Sequence, residues 1–161
     1  MKKQYRNGAI GALMDEYEHA GNELINVVKG IPESDFEKVF DQYTKDEDCR
    51  SVQTIVSHVI NSGYGYANYI RDRYSIPIKS PARRLFLGTE FINEMNKMLD
   101  YTCDTLEGKW KISEKEIMKI KIKSRWGPEY DIEQLLEHAI VHILRHRRQI
   151  EKFISTGKIT I

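Results

Sequence analysis

Apolar residues recur at helical spacing in four stretches of the chain. In the first, roughly residues 4–30, Ile10, Leu13, Met14, Tyr17, Ala20, Leu24, Val27 and Val28 fall on one side of a 3.6-residue repeat. Gly30 and Pro32 end it. A polar stretch from Glu33 to Asp48 reads as a loop with room for one helical turn. The second helix opens after Ser51, a good N-cap, and carries Val52, Ile55, Val56, Val59, Gly63, Ala67 and Ile70 as its inner stripe. Pro77 and Pro81 punctuate the connection to a third helix, whose Phe91, Ile92, Met95, Leu99, Thr102 and Leu106 keep core spacing until Gly108.

The pattern then changes. Met118, Ile120 and Ile122 alternate with lysines, which predicts an extended strand with a charged outer edge. Trp110-Lys111-Ile112 is a candidate partner for a short hairpin, and Trp126-Gly127-Pro128 reads as a turn. Asp131 and Gln134 have the spacing of a capping box and open the last helix, which runs to about Ser155 before Gly157. These elements predict an all-α fold: a four-helix bundle with a long, partly extended connection before the last helix. No repeat, low-complexity tract or linker divides the chain, so residues 1–161 read as one domain.

Composition narrows the class. The 161 residues hold 25 Lys+Arg against 24 Asp+Glu, a net charge of +1, which gives no electrostatic case for nucleic-acid or membrane binding as the main activity. Cys49 and Cys103 match no metal or redox spacing. Asp15, Glu16 and Glu18 follow the basic start too closely for a secretory signal, and no stretch is long and apolar enough to span a bilayer. The expectation is a soluble, cytoplasmic protein with reduced thiols. Cys103, on the third helix's apolar stripe, is expected to be buried.

The candidate chemistry lies in the last helix. Three of the five histidines, His138, His142 and His146, recur every fourth residue and so share one side. Imidazoles at i and i+4 are close enough to grip one divalent metal. On a helical wheel Ile132, Leu135, Ala139, Ile143, Ile150 and Phe153 form the inner sector. His146 lies within it, His142 at its edge and His138 a step further out. His142 and His146 are therefore the inward pair, while His138 is a supporting, interface or surface residue. Gln149 returns to the side of His142 and can hydrogen-bond there.

A third ligand must come from elsewhere, from His19 or His58. His58 points away from the apolar stripe of the second helix, toward Thr54, Asn61, Ser62, Gly65 and Tyr69. Spacing leaves two readings of that small polar face, a solvated surface or the wall of an open cleft. His19 ends Glu16-Tyr17-Glu18-His19, half of a carboxylate-bridged di-iron pattern. Its other half would need Glu at positions 139 and 143, where the chain has Ala and Ile, so His19 reads as surface.

The segment Leu136-Glu137-His138-Ala139-Ile140-Val141-His142-Ile143-Leu144-Arg145-His146-Arg147-Arg148-Gln149-Ile150 resembles the last-helix signature of the DinB-like (YfiT-type) metal-dependent four-helix-bundle family, approximately H-x-x-x-H-x-x-x-H-R-x-Q-I. Arg125-Trp126-Gly127-Pro128-Glu129-Tyr130, the Lys-Ile-Lys-Ile segment and a histidine within the second helix also fit its layout. Arg148 stands where many members have Gly.

The resemblance implies a divalent metal held by His58, His142 and His146. Zinc or nickel is the first expectation, with iron or manganese also suited to such ligands. It implies a metal-dependent enzyme acting on a small molecule, a thiol S-transferase or a hydrolase. The nucleophile would be water or a low-molecular-weight thiol cosubstrate. Gln149, Asn61 and His138 are candidates to orient the ligands, and Tyr69 and Trp126 to line the mouth. The alternative is a non-catalytic bundle that binds a small molecule or a protein partner. A homodimer is the base-rate expectation for its assembly.

Overall fold

The computed structural model describes residues 4–160. Four long helices dominate it: α1 (Gly8–Lys29), α3 (Val52–Arg73), α4 (Gly88–Leu106) and α6 (Ile132–Ser155), with two four-residue helices, α2 (Glu33–Phe36) and α5 (Glu114–Ile117), in the connections. α1 packs against α4 and α6, and α3 packs against the same two, so the order around the bundle is α1-α6-α3-α4. The fold is an all-α four-helix bundle with a short antiparallel hairpin before its last helix.

Each long helix contributes one apolar stripe to a common core. Ile10, Met14, Tyr17 and Leu24 come from α1, Ile55, Val56 and Ile70 from α3, Phe91, Met95 and Met98 from α4, and Ile132, Leu135, Ile143 and Ile150 from α6. At about 1.5–3 kcal/mol per buried large side chain, these stripes hold the bundle together. Local chemistry sets where the helices begin. Ser51 accepts from the Thr54 backbone N–H and Thr54 answers to the Ser51 backbone, while Asp131 and Gln134 do the same for α6. Both caps sit where the sequence predicts them.

The extended connection differs from expectation in two respects. The strand is confined to Ile122–Lys123 (β1), and its partner is Glu129–Tyr130 (β2), not Trp110–Ile112. Ser113 caps the helical turn α5, and the Ile120 N–H donates to the Ile117 carbonyl, so the chain coils until Ile120 before it extends. Ile117 rather than Met118 turns inward, and Met118 stays 61% exposed. The predicted Trp126-Gly127-Pro128 turn closes the hairpin, with Gly127 at φ 116°, a conformation that favours glycine. Cys103 is another correction. It is half-buried rather than buried, because the Arg6 guanidinium reaches down from the segment before α1 to donate to its sulfur at 3.4 Å. His19 is 56% exposed beside Glu23, as expected of a surface residue. Among the described residues no helix is long and apolar enough to cross a membrane.

Candidate metal centre

α6 and α3 face one another, and their packing sets the histidines across the gap. His146 is 7% exposed, inside the apolar sector of α6, and His142 and His138 are half-buried. His58 projects from the middle of α3 toward them. Its Nε2 lies 3.0 Å from His142 Nε2, and His146 Nε2 lies 3.2 Å from the same atom. The ligand atoms of the three side chains all fall within 4.8 Å of one another, close enough to bind a single metal ion. His138 and His19 are not part of this cluster.

The outer ring nitrogens explain why the inner ones converge. His58 Nδ1 faces the Asp48 carboxylate at 3.0 Å, and His146 Nδ1 faces Gln149 Oε1 at 2.6 Å. Both partners are acceptors, so each Nδ1 carries the proton and donates it. A neutral imidazole has only one N–H, which leaves the Nε2 atoms of His58 and His146 as lone pairs aimed at His142. His142 Nε2 carries at most one N–H, which cannot serve both lone pairs at full strength. A cation can.

Electrostatics keep the two inner rings of α6, His142 and His146, uncharged. Burial, reinforced by His146, His58, His138 and Arg145, pushes His142 down to about 2. Burial and His58 push His146 down to about 4, against an opposing contribution from Gln149. Both are neutral near pH 7, the form that binds a metal. The donor set therefore fits a divalent ion of borderline softness.

The cluster opens on a cavity of about 730 Å³. His58 and His142 form its floor, and Asn61, Gly65, Tyr69 and Trp126 stand on its walls. The polar face of α3 is thus the wall of a cleft, the second of the two readings that spacing left open. Trp126 is fixed by stacking on His138, with centroids 5.3 Å apart and planes 22° apart, and by edge contacts to Tyr66 and Tyr69. His138 supports the cavity wall through Trp126 and does not join the other histidines.

The chain matches no protein-family model and no curated protein.

Gln149 hydrogen-bonds on that side of α6, as its position allows. It bonds His146 rather than His142, because Nδ1 of His146 turns back toward the next turn of α6. Behind it, Cys49 approaches Gln149 Oε1 at 3.8 Å, and burial pushes this thiol up and keeps it protonated. Two residues of the site escaped the sequence reading. Asp48 lies in the acidic run before α3 and is brought to His58 by the 3-10 turn Glu47–Cys49, whose N-cap Asp46 holds the Asp48 backbone N–H. Arg83 pairs with the same carboxylate from the segment joining α3 to α4. Neither belongs to a spaced motif. The only local signal was an acidic cluster just upstream of a helix cap.

Proposed function

We propose that this protein is a metal-dependent enzyme in which His58, His142 and His146 hold one divalent ion at the floor of a small-molecule cavity. The observation that carries the reading is the convergence of three Nε2 atoms, two of them turned inward as lone pairs by Asp48 and Gln149. Three neutral histidines leave coordination positions open, the pattern of a catalytic rather than a structural site. The resemblance of the last helix to the DinB-like family supports the same ligand set. It points to transfer of a low-molecular-weight thiol or to hydrolysis on a small molecule.

When bound, the ion supplies Lewis acidity that ionises water or a thiol near neutral pH. The protein's own contributions follow from the geometry. Asp48 orients the His58 ring and Gln149 orients the His146 ring. Trp126, held by His138, Tyr66 and Tyr69, walls the cavity. Zinc or nickel suits the imidazole set first, with iron or manganese as further candidates.

Metal analysis of purified wild type and of the His58→Ala, His142→Ala and His146→Ala variants tests the assignment. About one ion per chain is expected in the wild type and loss of that ion in each variant. Stoichiometric metal in the variants would refute it. Assay of the loaded protein against electrophiles, with and without added thiol, separates transfer from hydrolysis.

A further inference from the structure

The charges around the cavity are unevenly paired. Arg83 on its wall is engaged by Asp48. Arg125, also on the wall, has no carboxylate at ion-pair distance among the described residues. The same holds for Arg145, whose positive charge is felt at Tyr66, His138, His142 and His146. Arg145 is not part of the lining, so the unpaired charges there are Arg125 and one exposed carboxylate, Asp72, near the end of α3. Of the two arginines in the lining, only Arg125 is therefore without a carboxylate partner among the described residues.

Arg125 is also the better placed of the two to meet a ligand. It sits in the hairpin turn after β1, and its backbone N–H donates to the Tyr69 hydroxyl at 2.9 Å, which ties the turn to α3. Its neighbour Trp126 is held by His138, Tyr66 and Tyr69 and donates its indole N–H to the Tyr130 hydroxyl at 3.2 Å. The turn is thus positioned on both sides, and Arg125 and Trp126 line the cavity side by side. A volume of about 730 Å³ suits a ligand of metabolite or drug size. Ile78, Tyr66 and Tyr69 add apolar surface to the same lining.

We propose that the cavity binds a small molecule with an aromatic or apolar body and a terminal oxyanion, carboxylate or phosphate, and that Arg125 anchors the oxyanion. The body lies along Trp126 and Tyr69, and its other end reaches His58 and His142. This deepens the metal-enzyme reading and rests on it only for the identity of the reacting end. Guanidinium is suited to both oxyanions, because its parallel N–H groups match two oxygens at once.

Calorimetric titration of chelator-treated and zinc-loaded protein with 4-phenylbutanoate, 3-phenylpropyl phosphate and the neutral 4-phenylbutanamide tests the proposal. At least one oxyanion is expected to bind about tenfold tighter than the amide in both forms, the effect of one charge-assisted contact. The tighter of the two oxyanions identifies the source. Arg125→Gln should abolish the preference while leaving metal stoichiometry and melting temperature unchanged. Equal affinity for the amide would overturn the proposal. So would a preference that survives in Arg125→Gln, which would mark direct coordination to the ion instead. Wild type that takes up no metal yet keeps an Arg125-dependent preference would uphold the anchor and refute the metal site.

Discussion

The Asp48 carboxylate lies 3.0 Å from Nδ1 of His58, and the opposite nitrogen of the same ring lies 3.0 Å from His142. One side chain thus fixes both the tautomer and the direction of a ring that meets two others. Carboxylates that hold a ligating histidine in this way contribute about 10–100-fold to metal affinity. Asp48→Ala is expected to weaken zinc binding by that factor in a chelator competition, with the helical content of the metal-free protein unchanged. Unaltered affinity would show that the carboxylate does not orient the ring.

The metal-free protein should lose stability in acid. His142 and His146 are held neutral in the fold, at about 2 and about 4, whereas the unfolded chain takes up protons at the ordinary histidine value of 6.5. Below pH 6.5 the unfolded state therefore binds more protons than the folded one, and stability is lost as the pH drops. The loss begins near 6.5 and continues to about 4 for His146 and about 2 for His142. Above 6.5 the pair adds no pH dependence. Melting temperatures of chelator-treated protein at pH 7.5 and pH 5 check this, with a lower value expected at pH 5. The difference should shrink in His142→Ala and His146→Ala.

Two glycines of α3 should respond in opposite senses to alanine. A Cβ at Gly63 would lie 2.4 Å from Met98 Sδ and 2.8 Å from its Cγ, where α3 and α4 touch. Met98 is fully buried, so this overpacking is expected to outweigh the gain in helix propensity and cost about 1 kcal/mol net. A Cβ at Gly65 meets nothing within 4 Å, because this residue borders the cavity. Gly65→Ala is expected to stabilise by up to about 1 kcal/mol. Denaturant midpoints for the two variants give the comparison directly. A stabilised Gly63→Ala would contradict the close approach of the two helices.

The parts of this architecture legible in the sequence are those encoded by neighbours along the chain. Ser51 with Thr54 and Asp131 with Gln134 mark helix starts, because a cap is satisfied within four residues. The wheel sorted His146, His142 and His138 by depth, because one helix face sets the order. What the sequence left open depends on contacts between distant segments. Asp48 meets His58 across a turn, Arg83 meets Asp48 from a third segment, and no periodicity records either pairing. The hairpin shows the same limit at short range. Alternation from Met118 to Ile122 looks like a strand, yet the Ser113 cap and the burial of Ile117 coil half of it. The wheel gives the side of α6 on which Gln149 lies, but the rotation of the His146 ring decides which ring it bonds.

The central claim is that three imidazoles, two from α6 and one from α3, surround one ion. X-ray absorption at the metal edge of zinc-loaded protein measures that shell directly. The structure predicts three histidine nitrogens at about 2.0–2.1 Å with the remaining position filled by oxygen from solvent, and one nitrogen fewer in His58→Ala. A shell built on sulfur from Cys49, or a shell unchanged by His58→Ala, would contradict it.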